Sequence, residues 1–324
     1  MKKALITGIT GQDGSYLAEF LISKNYKVYG LVRRHAIENL ENRFSRISPI
    51  LDKVILCDGD INEFSTLAKL IAKIKPDECY HLAAQSFVDS SFADEFSTFT
   101  TNISGTHYLL SALREFKKDC KFYFAGSSEM FGSAVRSPQD EGTEFNPVSP
   151  YGISKTTGFY LTKMYRDCYG LFACGGIAFS HESPRRGSEF VTRKITYGAA
   201  QIKLGLAKKL ILGNLDARRD WGYAGDYVEA MWLMLQQNTP SDYIIASGET
   251  HSVREFAEEV FKHLGLDFTK YVRTDKKFFR VIDSRSLCGN ASKARKILGW
   301  KPKVKFKELV TMMADADLAR LSAR

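Results

Sequence analysis

Short apolar runs alternate with helix-length amphipathic segments through the first half of the chain. Lys3–Thr7, Lys27–Val32, Val54–Asp58, Cys79–Ala84 and Phe122–Ala125 read as strands. Between and after them, Ser15–Lys24 (apolar at Leu17, Phe20 and Leu21), Phe99–Leu113 and Tyr151–Asp167 (apolar at Phe159, Leu161 and Tyr165) carry helical spacing. Strand and helix alternating with a period of roughly thirty residues predict an α/β protein with a mostly parallel, doubly wound sheet. Beyond Cys174 the pattern loosens into charged loops, His181–Gly187 and Asp216–Asp220. A helix near Tyr227–Leu235 and a strand at Tyr243–Ala246 read as a return to the sheet, whereas helices near Val253–Leu264, Lys293–Leu298 and Phe306–Ala319 read as a smaller C-terminal cap. The expected division is residues 1–177 with 214–246 for the sheet domain, and 178–213 with 247–324 for a substrate-binding cap, the site lying between them.

Composition narrows this picture little. With 44% hydrophobic and 26% charged residues over 324 positions, the chain has enough apolar content for a packed core and is not a disordered tail. No apolar run approaches the ~18 residues of a membrane span, and Met1-Lys-Lys leads straight into a strand without the apolar core of an export signal. The six cysteines are scattered, mostly in apolar runs, with no C-x-x-C pair. They read as reduced, buried thiols of a cytoplasmic protein, with no disulfide or metal framework. The formal charge of +9 is spread along the chain without basic runs interleaved by aromatics, so nucleic acid and membrane are not the expected partners. A basic surface of no specific use and a basic pocket for a polyanionic nucleotide both remain open.

The chemistry concentrates at strand ends. Gly8-Ile-Thr-Gly11-Gln12-Asp13-Gly14 joins the first strand to the first helix, the context of a dinucleotide fingerprint, although the spacing is G-x-x-G-x-x-G. Glycines there let a pyrophosphate approach the helix N-terminus; a turn serving only helix packing is the plainer reading. Arg33 and Arg34 end the second strand, where an enzyme selecting NAD would place an acid, and suit a 2′-phosphate, hence NADP, unless they are a solvated pair. Asp60 and Ile61 follow the third strand where adenine would lie, and Leu82, Ala83 and Ala84 end the fourth. His81, inside an apolar strand, reads as a satisfied core histidine. Ser127 and Glu129 follow the fifth strand, and Tyr151 and Lys155 stand four residues apart on one helix face. A neighbouring ammonium is expected to lower the tyrosine pKa towards use as a base.

These residues together resemble the GDP-mannose 4,6-dehydratase family, within the extended branch of the short-chain dehydrogenase/reductases, nearly end to end. The motifs that carry the likeness are Thr7–Gly14, Ala83–Val88, Ser128–Gly132, Ser149–Tyr151, His181–Gly187, Phe190–Lys194, Gly213–Ala217, Arg219–Gly222, Gly248–Phe256 and Leu298–Pro302. The resemblance implies a Rossmann fold, NADP as cofactor, and a GDP-linked sugar as substrate. Tyr151, assisted by Lys155 and Ser127, would take the proton of the sugar 4-hydroxyl, and Glu129 would remove the carbon 5 proton as water leaves from carbon 6. Ser127 matches a family threonine. Lys194, Arg219 and Arg280 would grip the nucleotide and diphosphate and Asp283 the ribose, with Ser86, Ser180, Val191 and Gly213 also lining the substrate site. A homo-oligomer, dimer or tetramer, is implied as well.

The departures fall on pocket walls. Ser180 stands where the family has asparagine, Val148 where it has arginine, and Phe279-Arg-Val-Ile-Asp283 replaces Phe-Arg-Pro-x-Glu after a trimmed insertion. That pattern points to the same chemistry on a modified sugar, such as a GDP-manno-heptose, as readily as on GDP-mannose. A related GDP-sugar 4-reductase or epimerase is the nearest rival, and Glu129 argues against it, since 4-oxidation or reduction needs no base at carbon 5. A non-catalytic NADP-binding regulator is the rival from another class; the complete Ser127, Glu129, Tyr151 and Lys155 set argues against it.

Overall fold

The computed structural model describes residues 1–33, 44–279 and 287–323. Seven parallel strands form the central sheet: β1 (Lys3–Thr7), β2 (Lys27–Val32), β3 (Val54–Asp58), β4 (Glu78–His81), β5 (Lys121–Ser127), β6 (Ala173–Ala178) and β7 (Tyr243–Ile245). Their spatial order is β7-β6-β5-β4-β1-β2-β3. Strand order reverses between β1 and β4, where Thr7 lies opposite His81, and ligands of such sheets bind beyond the carboxyl ends at that point.

Both faces of the sheet are covered, which is why its strands read as continuous apolar runs. Ala4 and Ile6 of β1 pack with Leu17 and Leu21 of α1 (Gln12–Ser23), and with Met231 and Met234 of a later helix at Ala224–Leu235. Leu5, between them in sequence, faces the other way onto α2 (Phe64–Ile74), α3 (Gly105–Phe116) and α4 (Pro150–Tyr169). A third apolar cluster joins α5 (Val191–Lys203), α7 (Val253–His263) and α8 (Phe306–Ser322), where α6 is the Ala224–Leu235 helix. A buried ion pair, Arg193 Nη2 to Asp317 Oδ1 at 2.6 Å, ties α5 to α8.

The packing departs from the sequence expectations in several places. Ala291, Ala294, Leu298 and Trp300 join the sheet cluster, whereas Leu215 and Trp221 join the cap cluster. The chain therefore crosses between lobes within the ranges 214–246 and 247–324, not at their ends. α1 begins at Gln12, three residues before the expected start, and β4 stops at His81. The segment expected as helix over Phe99–Leu113 is helical throughout, with a π-type turn at Thr100–Ser104 leading into α3. β6 escapes sequence reading because Gly175 and Gly176 weaken its strand pattern. Space requires them: a Cβ at Gly176 would stand 2.5 Å from the Tyr123 hydroxyl, and one at Gly175 2.7 Å from the Phe159 ring. All six cysteines are free; Cys79, Cys120 and Cys174 are buried, but Cys168 is exposed, so the expectation of buried thiols holds for only part of the set. His81 is buried between the hydroxyls of Thr7 (2.8 Å) and Thr106 (2.9 Å), and burial pushes its pKa down to about 3. Among the described residues no helix is long and apolar enough to cross a membrane.

Candidate active site

The turn after β1 is built around close backbone approaches. Gly8 has φ of +76°, and a Cβ there would stand 2.8 Å from the Ala83 amide nitrogen. A Cβ at Gly14 would stand 2.2 Å from the Gly8 carbonyl oxygen. The Gly11 amide closes the turn onto that same oxygen at 3.0 Å. Gly11 then precedes α1 without a side-chain cap, which leaves the helix N-terminus open to an anion.

Beside this turn runs a cleft of about 890 Å³. Of the residues singled out in the sequence, Gly8, Gly11, Gln12, Asp13, Gly14, Arg33, Ile61, Leu82, Ala83 and Ala84 line it. Ser127, Glu129, Tyr151 and Lys155 line its middle, together with Ser86, Ser180, Val191, Lys194, Gly213 and Arg219. Asp60 does not; its carboxylate closes a turn by accepting from the Asn62 amide at 2.9 Å. Gln12 is in the wall, but its amide is spent within the protein: Nε2 donates to the His181 carbonyl at 3.0 Å and Oε1 accepts from Ser183 at 2.8 Å. Arg34, Arg280 and Asp283 lie outside the described residues. Val148 is half-buried and not part of the cleft wall.

Ser127 ends β5, its Oγ accepting from the Glu129 amide at 3.2 Å in the turn that follows. α4 starts opposite. Ser149 caps it by accepting from the Gly152 amide at 3.0 Å, Pro150 takes the first helical position, and the Tyr151 amide donates to Ser91 Oγ at 3.3 Å. Tyr151 is thereby aimed at the end of β5, where its hydroxyl hydrogen-bonds Ser127. One turn on, Lys155 donates to the Ala125 carbonyl at 2.9 Å, its Nζ 5.8 Å from the centre of the Tyr151 ring.

The electrostatics correct one expectation. Tyr151 and Lys155 are only 8% and 5% exposed, so burial dominates both. Burial pushes Tyr151 up to about 12, the Ser127 hydrogen bond pulling the other way, and pushes Lys155 down to about 8. The expected net lowering of the phenol is not found: burial outweighs it, and the ammonium is itself desolvated with its hydrogen bond going to a carbonyl.

Sequence reading marked the segments His181–Gly187 and Phe190–Lys194 but gave no site role to Arg186 or Phe190. Arg186 lines the cleft, ion-pairs through Nε with Glu182 at 3.1 Å, and stacks 3.4 Å over the Phe190 ring. Phe190 meets Phe87 edge-on at 5.5 Å, so an aromatic pair joins the strand end after β4 to the start of α5. His181 bonds Asp13 at 2.8 Å. The signal was present in the density of charge at His181–Gly187, but nothing in sequence says which charges turn inward. On the cap side, Lys194 sits 4.1 Å over the Phe278 ring, another lining residue without a sequence signal.

The chain is similar to known proteins along nearly its whole length. A family model for GDP-mannose 4,6 dehydratase matches residues 5–313. GDP-mannose 4,6 dehydratase 1 of Arabidopsis thaliana is 51% identical over 327 residues, covering 98% of this chain and 90% of that one. The Homo sapiens GDP-mannose 4,6 dehydratase is 44% identical over 340 residues, covering 97% and 91%. Among solved structures, a dTDP-glucose 4,6-dehydratase of Streptomyces venezuelae with NAD bound superposes with a TM-score of 0.85 at 22% identity, over 99% of this chain and 98% of that one. A UDP-glucose 4-epimerase of Thermotoga maritima gives 0.86 at 23% identity, covering 99% and 100%. Likeness at that identity speaks for the fold alone.

Proposed function

The chain belongs to the GDP-mannose 4,6-dehydratase family, and we propose that it removes water from a GDP-linked manno-configured sugar to give the 4-keto-6-deoxy sugar, with NADP as cofactor. The observation that carries this reading is the placement of Glu129 in the same cleft wall as Ser127, Tyr151 and Lys155. A 4-reductase or 4-epimerase has work for the other three but none for a carboxylate beside carbon 5.

The residues fit a dinucleotide: Gly8, Gly11 and Gly14 line the cleft without side chains, and the open N-terminus of α1 suits a pyrophosphate. A nicotinamide, when bound, supplies the site that accepts a hydride from carbon 4 and returns it to carbon 6. The chain does the acid–base work. Tyr151 takes the proton of the 4-hydroxyl, with the Ser127 hydroxyl bonded to it to share the developing charge. Lys155 is held on the Ala125 carbonyl, one helical turn away, and stabilises the phenolate once it forms. Glu129 accepts the carbon 5 proton, acidified by the new ketone, and gives it to the departing carbon 6 hydroxyl; carbon 5 then regains a proton, matching the one Tyr151 took, as carbon 6 is reduced. Arg33 at the end of β2 supports NADP over NAD, because a guanidinium grips a 2′-phosphate. Lys194 and Arg219 would hold the nucleotide under the cap, with Ser86, Ser180, Val191 and Gly213 around the sugar.

Ser180 in the cleft wall, where the family pattern has asparagine, supports a roomier sugar site and hence a manno-heptose. Ile153, Tyr160 and Met164, apolar side chains that α4 leaves exposed, support a homo-oligomer. The test is to incubate the purified protein and NADP with GDP-mannose and with GDP-manno-heptose, following loss of water by mass spectrometry. Product with retained oxygen count, reduced or epimerised at carbon 4, would favour the rival.

A further inference from the structure

His181, in the short strand His181–Glu182 that follows β6, offers both ring nitrogens to acceptors. Nδ1 lies 2.7 Å from the Phe179 carbonyl oxygen and Nε2 lies 2.8 Å from Asp13 Oδ2. A carbonyl oxygen and an ionised carboxylate can only accept, so both nitrogens carry hydrogen and the ring is an imidazolium. The Tyr227 ring of α6 covers one face, stacked at 4.7 Å and 23°. Asp13, in the first turn of α1, takes a further hydrogen bond from Gln12 Nε2 at 3.0 Å. The charged and titratable groups around the pair are Arg186 from the same segment as His181, Tyr227 from α6 and Tyr123 from β5. Asp13 and His181 line the same cleft as Tyr151 and Lys155 of α4, where Glu129 and Arg186 also face Tyr151 and Asp13 favours its proton and that of Lys155.

That arrangement gives the pair a task beyond joining α1 to that strand. Alone, the Asp13 carboxylate favours protons on both Tyr151 and Lys155, opposing formation of the phenolate. With an imidazolium against it, the pair presents little net charge to them. We propose that His181 and Asp13 are positioning residues for the Tyr151–Lys155 couple: the proton held on His181 neutralises Asp13 and so removes one of the charges that oppose proton loss from Tyr151. The proposal rests on the reading of Tyr151 as proton acceptor. The coulombic attraction of Asp13 pulls the His181 pKa above its ordinary 6.5 despite burial, and the same pairing takes Asp13 down to about 2. Stability from the histidine end is therefore whole below its ordinary pKa and lost as pH rises through the elevated folded value. The aspartate end is whole above its ordinary pKa and fails only as pH falls towards 2.

The test is the pH profile of kcat in His181→Gln, with the enzyme saturated in cofactor and sugar. Glutamine can still donate a hydrogen bond but leaves Asp13 uncompensated, so the acid limb should move up by roughly one pH unit. Adding Asp13→Asn should bring the limb back towards its original position. A purely structural pair would lower the amplitude in both variants and leave the limb in place, and that result overturns the proposal, as does a shift the second substitution fails to reverse. Nitrogen NMR of the labelled wild-type imidazole is independent of turnover and of any variant's folding: two protonated nitrogens at neutral pH are expected, and a neutral ring refutes the charge assignment. Full activity in Tyr151→Phe would instead remove the reading of Tyr151 while leaving the NMR result standing, so the two failures are distinguishable.

Discussion

An alanine Cβ at Gly152 would stand 2.7 Å from the carbonyl oxygen of Glu129, so the helix that carries Tyr151 rests directly on the turn that carries Glu129. The two groups assigned the proton transfers are thus fixed to one another through backbone. In an ordinary helix interior, glycine to alanine stabilises by about 0.5–1 kcal/mol. Gly152→Ala must instead push α4 and the turn apart, and we expect kcat to fall at least ~10-fold through misplacement of the acid and base. Circular dichroism should show the fold retained; unchanged kcat in the folded variant would mean the contact is not needed for alignment.

Lys155 should cost the fold stability. Its pKa falls from an ordinary 10.5 to about 8 because it is buried, so its charge is carried at neutral pH against desolvation. Lys155→Met should lose turnover and gain up to ~3 kcal/mol of stability, less the hydrogen bond to Ala125. The sign is testable by pH: the penalty is complete below about 8 and vanishes as pH rises towards 10.5, where both states are neutral. Chemical denaturation at neutral and alkaline pH should therefore show the advantage of the variant shrinking. A variant less stable than wild type at every pH would contradict the burial account.

Much of this site was legible because local sequence rules and tertiary requirements coincide in it. Gly8 and Gly14 announce a tight turn, and a tight turn is what the approach of Ala83 to Gly8 demands. Ser149 and Pro150 announce a helix start, and that start aims Tyr151. Legibility failed where tertiary packing overrode propensity: Gly175 and Gly176 hide β6, and Asp13 pairs with a histidine 168 residues away. The misjudged effect of Lys155 on Tyr151 has the same origin. Spacing on a helix predicts proximity, but not the desolvation that raises the phenol to about 12.

Arg33 gives a cofactor test. It lines the cleft at the end of β2, and Arg33→Ala should weaken NADP binding by roughly 1–3 kcal/mol while leaving NAD nearly unchanged. Calorimetry with both cofactors reads this directly. Equal losses would place Arg33 on a part common to the two dinucleotides.

Glu129→Gln separates dehydration from oxidation. The amide keeps the size of the side chain but cannot take the carbon 5 proton. The variant should accumulate bound reduced cofactor, visible in the near ultraviolet, while mass spectrometry finds at least ~100-fold less water loss. Dehydration at close to the wild-type rate would assign the base to another group.

Ser180 tests the sugar. It lines the cleft immediately before His181, with its carbonyl accepting from the Gly222 amide at 2.9 Å, so its backbone is pinned and the side chain alone determines the space available. Relative to asparagine, serine removes volume and an amide that could hydrogen-bond a hexose hydroxyl. A site built to bond a hydroxyl discriminates strongly, whereas one that only makes room tolerates an extra carbon at modest cost. The unmodified protein should therefore show the higher kcat/KM for GDP-manno-heptose. Ser180→Asn should shift preference towards GDP-mannose by roughly 10-fold. Val148 is outside the cleft wall, so the second departure is not required for the shift, and Ser180→Asn should produce it without Val148→Arg. Equal efficiency on both sugars before and after the Ser180 substitution would take that residue out of the specificity account and leave the hexose as the simpler substrate.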